Sequence, residues 1–208
     1  MPVNDNINAS EPEEKEVPEA DCPQNEGEKS VNIHKETYEW IQCVVVALIC
    51  CVLIFVFIAR VIDVVGYSMV PTLEDGDKII ITRLAGNYER GDIVVLRKEA
   101  FREEPIVKRI IAVEGQTIDI DFINGIVYVD GEALDEPYVN ELTYEPEDFT
   151  GPVEVPEGCV FVMGDNRNNS TDSRRETIGC VDTRYIMGKV IFRILPLDKI
   201  GAIYGWDY

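Results

Sequence analysis

A serine, a lysine and a polar loop hold the reactive side chains of this 208-residue chain. Ser68 lies in Gly66-Tyr67-Ser68-Met69-Val70-Pro71-Thr72-Leu73, between a Val/Ile-rich run and an X-Pro turn. Proline fixes its own backbone and biases the preceding residue to an extended shape, so the turn can present a hydroxyl rigidly. Lys108 and Arg109 interrupt the apolar run of residues 105–113. Successive strand residues face opposite ways, so one of the pair is expected to face solvent and the other apolar surroundings. A lysine placed there has its charged form disfavoured; its pKa falls from ~10.4 toward neutrality, where the amine can act as a base. The third segment is Gly164-Asp165-Asn166-Arg167-Asn168-Asn169-Ser170-Thr171-Asp172-Ser173-Arg174. It is dense in side chains that bond backbone and each other, as a network holding a catalytic amine would be. Each segment also has a plainer reading: a turn serine, an edge-strand lysine that guards against aggregation, an ordinary polar loop.

Exclusions narrow the chemistry. The one histidine, His34, stands in a polar, acidic N-terminal stretch. A Ser-His-Asp triad, a Cys-His pair or a His-rich zinc site therefore cannot be built in the folded part. A serine paired with a lysine is the remaining nucleophile–base pair. With Lys+Arg 19 against Asp+Glu 39, the net charge of −20 argues against a nucleic-acid partner.

Three regions must position these groups. Residues 1–37 are rich in Pro, Glu and Asn and are expected to form a disordered acidic tail. Residues 41–59 read IQCVVVALICCVLIFVFIA, with Gln42 the one polar side chain. Nineteen helical residues span about 28 Å, close to the ~30 Å hydrocarbon core. The anchor is drawn at residues 38–60, with Tyr38 and Trp40 at one interface and Arg60 at the other. Flanking lysines and arginines are balanced, so charge alone does not fix its orientation. Ser68 follows Ala59 by nine residues, which reach ~30 Å at most, so it must lie close to the membrane surface.

Residues 61–208 are enough for one core and are expected to be mainly β, as sheets curled on one another. Eight Val/Ile-rich runs alternate with Gly, Asp and Pro, and Asn124-Gly125 and Asp130-Gly131 mark hairpin turns. Residues 183–187 could hold a short helical turn. Residues 130–157 carry ten acidic residues and no Lys or Arg, and read as a solvated loop. Cys43, Cys50 and Cys51 fall in the anchor. Cys159 and Cys180 flank the polar loop, and a disulfide between them is chemically permitted if that face is extracytoplasmic.

Ser68-Met69-x-Pro71-Thr72-Leu73 with Asp75-Gly76-Asp77, then Gly91-Asp92-Ile93-Val94, Lys108-Arg109 and Gly164-Asp165-Asn166-Arg167-x-x-Ser170-x-Asp172-Ser173-Arg174 follow one another behind a single anchor. In order and content this series resembles the successive boxes of bacterial type I signal peptidases, over residues 62 to about 195. The resemblance implies a compact domain of curled β-sheets behind one N-terminal transmembrane helix. It implies a membrane serine endopeptidase that removes signal peptides from exported preproteins after a small residue, with no metal or cofactor. It makes Ser68 the nucleophile, its backbone N–H an oxyanion donor, and Lys108 the general base. Ser170 would hold the lysine amine by a hydrogen bond, and Asp172 would order the loop, with Arg174 and Arg109 as charge partners.

Gly66 stands where Gram-negative members carry a serine hydroxyl, as in Gram-positive members, so a second oxyanion donor must come from elsewhere. By the same resemblance the N-terminus is cytoplasmic and the catalytic domain extracytoplasmic, with preproteins and the bilayer as partners. Three rival readings are a processing or assembly factor for a specialised secretion or pilus system, a self-cleaving repressor-type protease, and a non-catalytic membrane-anchored β module. The anchor and acidity count against the second, and the presence of Lys108 against the third.

Overall fold

The computed structural model describes residues 33–57, 59–84, 86–97 and 104–203. The expected tail falls largely on residues 1–32, outside the described residues. The chain divides into two compact units, Met1–Cys43 and Val44–Tyr208. Helix α1, Ile33–Phe57, starts before the expected anchor boundary, so residues 33–37 are helical rather than part of a tail. It also ends earlier: Ala59 and Arg60 already belong to the first strand. Within α1, Glu36–Ile54 is long and apolar enough to cross a bilayer.

The rest is mainly β, as the pattern of short Val/Ile runs requires. The strands are β1 (Ala59–Asp63), β2 (Lys78–Thr82), β3 (Ile93–Leu96), β4 (Ile106–Val113), β5 (Thr117–Asp121), β6 (Ile126–Val129), β7 (Glu132–Ala133), β8 (Val153–Glu154), β9 (Cys159–Met163), β10 (Val181–Asp182), β11 (Ile186–Leu195) and β12 (Gly201–Ala202). Seven of the eight expected runs are strands over most of their length; of the first, residues 62–66, only Ile62 and Asp63 belong to β1. The four that sequence missed are two-residue bridges, too short to show a period. The expected helical turn is a 3-10 turn at Thr183–Tyr185, after which β11 begins.

The larger sheet has the order β1-β2-β11-β3-β4-β9-β10, with β12 on β11; the smaller has the order β7-β6-β5-β8. Register shifts in β11 and β4 mark bulges, which bend strands and raise local twist. The β6–β7 turn is the expected two-residue hairpin. Asp130 and Gly131 both take positive φ, 54° and 82°, as the twist of a tight hairpin demands. The β5–β6 connection is wider, since Asp121 pairs with Ile126 across four loop residues.

Burial follows the side-chain pattern. The run Ile93-Val94-Val95-Leu96 shows no alternation, and β3 is buried on both faces. Val95 joins a cluster with Met69, Leu73, Ile79 and Ile81, whereas Val94 and Leu96 join Ile110, Val162 and Ile178. A third cluster seals the smaller sheet, with Phe161 of β9 among Ile118, Val127 and Ile111. Phe161 meets Phe149 edge-on at 6.0 Å between ring centres.

Among the described residues one sheet face stays partly open. Ile79 and Ile81 point inward, so Ile80 points out, in a row with Val61 of β1 and Phe192 of β11. Cys159 and Cys180 are not joined in a disulfide. Val160 pairs with Val181, so the two cysteines lie on a diagonal across β9 and β10, a spacing of about 7–8 Å that is wider than disulfides usually bridge.

Phe161→Ala should cost about 3–5 kcal/mol by leaving a cavity where the sheets meet, and Phe161→Leu clearly less. Denaturant unfolding of the full chain in detergent measures both.

Candidate active site

Ser68 is half-buried in a turn clamped at both ends. Val64 N–H donates to the Asp77 carbonyl at 2.8 Å, and Gly76 N–H to the Val64 carbonyl at 2.9 Å. Met69 and Leu73 sink into the core and hold the turn down from its apolar side. Gly66 takes φ 92°, and its N–H donates to Asp75 Oδ1 at 2.7 Å. That N–H is therefore committed within the turn.

Lys108 and Arg109 reach the site from β4. The expectation that one of them faces solvent is wrong: Lys108 is 3% exposed and Arg109 fully buried. Nor is β4 an edge strand, since it lies between β3 and β9. Lys108 Nζ is 2.6 Å from Ser68 Oγ. Arg109 turns the other way. Its Nε and Nη2 donate to the two Asp165 carboxylate oxygens at 2.8 and 2.7 Å, and its Nη1 to the Gly91 carbonyl at 2.8 Å. Its charge partner is thus Asp165 and not Asp172. The second Asp165 oxygen also accepts from the Thr72 hydroxyl at 2.5 Å, which ties the serine's own turn to the same carboxylate.

The polar loop follows β9 directly and folds over the serine. Asn166 N–H donates to the Ser68 carbonyl at 3.0 Å, and the Asn166 side-chain amide to the Tyr67 carbonyl at 3.0 Å. A Cβ on Gly164 would collide with the Ser68 carbonyl and with Ser170 Oγ, so only glycine fits where the loop crosses the turn. Ser170 Oγ is buried against this crossing and has no hydrogen-bond partner among the described residues. The expected bond from Ser170 to the lysine amine is therefore not formed in this structure. Asp172 and Arg174 do pair as expected, fully buried, with Nε to Oδ1 and Nη2 to Oδ2 both 2.9 Å. Burial alone would raise the Asp172 carboxyl. The bonds and charge of Arg174, with Gly164 N–H, outweigh burial and hold it below the usual carboxylate range. The Ser170 hydroxyl lies near enough to favour that charge, but outside hydrogen-bond geometry.

The acidic segment 130–157 is not simply a solvated loop. Its middle part straps the polar loop in place. Glu136 pairs with Arg167 at 2.6 Å, Thr143 is buried on the same guanidinium, and the Glu145 carbonyl accepts from Arg174 at 2.8 Å. Asn140 N–H donates to the Asp165 carbonyl, and Asn168 Oδ1 accepts from Tyr144 and Glu145 N–H. Tyr138 is buried, with the Arg109 guanidinium 4.0 Å from its ring centre. Sequence reasoning assigned no role to Thr72, Asp165, Asn166, Arg167 or this strap. The missed signal was arithmetic: a loop with two arginines, and Arg175 directly after it, beside an acidic stretch with no cation.

A cleft of about 370 Å³ opens onto Ser68 and Lys108, lined also by Gly66, Tyr67, Ile106 and Ile178. The β4–β9 ladder stops at Arg109, so residues 106–108 run on past it along the cleft. A half-buried hydroxyl against a buried amine, beside this cleft, is an arrangement in which serine-peptidase chemistry is possible. Residues 37–195 match the family described as signal peptidase, peptidase S26. A signal peptidase I of Bacillus licheniformis is 36% identical over 83% of this chain and 96% of its own. One from Bacillus caldolyticus is 39% identical over 79% and 94%, and a probable signal peptidase I-1 of Synechocystis is 36% identical over 82% and 88%. A crystal structure of a signal peptidase I from Enterococcus faecalis V583 aligns with 27% identity and TM-score 0.40, covering 50% of this chain and 97% of that one. The chain belongs to the signal peptidase S26 family: it is a membrane-anchored serine peptidase that cleaves signal peptides.

The Asp172 shift fixes a pH dependence. A carboxyl lowered in the folded state adds stability above its unfolded pKa of ~3.9 and loses it as pH falls through the folded value. Asp172→Asn should therefore melt well below wild type at pH 7, with Arg174 left buried beside a neutral side chain. The gap should narrow as pH falls from 5 toward 3. Thermal melts across that range measure it.

Proposed function

We propose that Ser68 is the nucleophile and Lys108 the general base, and that the enzyme cuts exported preproteins after a small residue. The 2.6 Å approach of the buried amine to the hydroxyl carries this reading. Burial disfavours the ammonium form, so a neutral amine can take the serine proton near neutral pH. Ser68 Oγ attacks the scissile carbonyl, and its proton passes to Lys108. The Ser68 N–H donates to the oxyanion of the tetrahedral intermediate. Protonated Lys108 then gives its proton to the departing amine of the mature chain. Water, deprotonated by the same lysine, hydrolyses the acyl-enzyme and regenerates both groups.

Ser170 orients the amine during this cycle. Its unpartnered buried hydroxyl beside the Ser68 carbonyl fits that duty, taken up once substrate is bound. Asp172 and Arg174 order the loop that carries it. The substrate enters extended and adds as a strand against residues 106–108, where the β9 ladder has ended. Ile106 and Ile178 leave a shallow cleft that suits small side chains. No metal or cofactor takes part.

The same reading assigns residues 1–37 to a cytoplasmic tail, 38–60 to the anchor and 61–208 to an extracytoplasmic domain facing the bilayer surface. Two observations support that proximity. β1 begins two residues after α1 ends, and the open row Val61, Ile80 and Phe192 is apolar. Signal-peptide-bearing preproteins and lipid are then the partners, and nucleic acid is not.

With detergent-solubilised full chain and a signal-peptide-bearing preprotein, Ser68→Ala, Lys108→Ala and Lys108→Arg should all abolish the cut while the fold persists. Arginine stays charged and cannot act as a base. More than a few per cent of activity in either lysine variant contradicts the dyad.

Ser170→Ala should lower kcat on the order of 10²-fold, with KM little changed. Activity should fall on the acid side as Lys108 takes a proton. His34→Ala should leave that limb in place; a limb that moved with it would assign the titration elsewhere.

A further inference from the structure

Tyr138 lies between the two guanidinium groups that organise the site. Arg109 is 4.0 Å from its ring centre and Arg167 6.0 Å, and its hydroxyl donates to Glu136 Oε1 at 2.9 Å. Glu136 in turn forks onto Arg167, with Oε1 to Nη2 at 2.6 Å and Oε2 to Nη1 at 2.8 Å. Arg167 belongs to the loop that carries Ser170, and Arg109 is the strand neighbour of Lys108. One ring thus spans the base strand and the loop over it. It is supplied by the strap, which touches neither Ser68 nor Lys108 in any bond described above.

An aromatic face attracts a cation most strongly where both are out of water. Tyr138 is 3% exposed, and both guanidinium groups are buried. Arg109 already uses Nε, Nη1 and Nη2 in the plane of the guanidinium, toward Asp165 and Gly91. Hydrogen bonds in the guanidinium plane resist sliding along the bonds more stiffly than a small rocking out of that plane, which is resisted by whatever covers the face. The ring covers it.

We propose that Tyr138, held by Glu136, is a positioning residue of the peptidase: it sets the tilt of Arg109 and, through β4, the alignment of Lys108 with Ser68. The proposal rests on the Ser68–Lys108 reading. Displacement of a reacting group by about 1 Å can cost on the order of 10²-fold in rate, so a ring one residue removed from the base can matter to turnover. Because Tyr138 does not line the cleft, its effect should fall on kcat and not on substrate binding.

Tyr138→Phe keeps the ring, and Tyr138→Leu keeps much of the bulk without a π face. Both are compared with wild type as full chains in detergent, on one preprotein, at a temperature where circular dichroism shows each folded. Tyr138→Phe should stay within about threefold of wild type in kcat, while Tyr138→Leu loses at least ~10-fold with KM within about twofold. Wild-type turnover in the same assay separates failure of this proposal from failure of the dyad.

Equal kcat for Tyr138→Leu and wild type would overturn the proposal, as would a loss confined to KM. Should Tyr138→Leu not fold, Glu136→Gln serves in its place. It removes the charge that seats both Arg167 and the Tyr138 hydroxyl, and should lower kcat several-fold at unchanged KM. An unchanged kcat there overturns the proposal equally.

Discussion

The buried ion pair between Arg109 and Asp165 is the constraint on which the site depends. Both side chains are fully out of water. Charges placed there cost several kcal/mol each in lost hydration, and their attraction offsets this only when geometry is good and the remaining lone pairs and protons are used. Here they are used. Arg109 spends donors on Asp165 and Gly91, and Asp165 also accepts from Thr72. Such a pair is weak evidence of net stability, since apolar residues of similar size often do as well. What it supplies is registry. Thr72 belongs to the serine turn, Arg109 to the lysine strand and Asp165 to the loop above them. Three segments distant in the chain can meet at one carboxylate in one way only, because any slip leaves an unpaired buried charge, at about 3–5 kcal/mol.

The rest of the architecture makes that meeting possible. β4 is central in its sheet: Lys108 pairs with Val94 of β3 and its neighbour Arg109 with Met163 of β9, so the position of Lys108 is set by the sheet and not by a mobile loop. The serine turn is free of ladder bonds but is held by Met69 and Leu73 in the core. The polar loop has no core residues of its own comparable to these. It depends on charge: Asp172 on Arg174 within, Glu136 on Arg167 and Glu147 on Arg175 from the strap. Apolar burial thus fixes two of the three segments, and electrostatics the third.

This division explains what could be read from the sequence. Burial leaves a periodic trace, so the eight main strands, the two turns and the apolar helix were legible. The pairing of Ser68 with Lys108 proposed here was suggested by elimination, because a single histidine outside the β domain leaves lysine as the candidate base. Electrostatic pairing across the chain leaves no period. A stretch of ten acids without a cation looks like solvent-exposed loop until its counter-ions are located, Arg167 for Glu136 and Arg175 for Glu147, about 30 residues on. The same limit misassigned Arg109 to Asp172: composition shows that arginines and aspartates share a neighbourhood, not which of them face each other. The assumption that adjacent charged strand residues must divide between core and solvent failed for a related reason. Both faces of β4 are covered, so alternation separated the two cations from each other and not from the protein.

That separation has a chemical consequence. A lysine that is to act as a base must not have a carboxylate close enough to stabilise its ammonium form. Yet the site needs a buried carboxylate to lock its three segments. Placing arginine next to the lysine resolves the conflict through the pleat. Neighbouring strand residues project to opposite faces, so Arg109 draws Asp165 to its own side and engages both of its oxygens. Lys108 projects to the other face, where its amine meets the serine hydroxyl. The arginine that fixes the frame thus also holds the Asp165 carboxylate on the face of β4 opposite the one from which Lys108 projects.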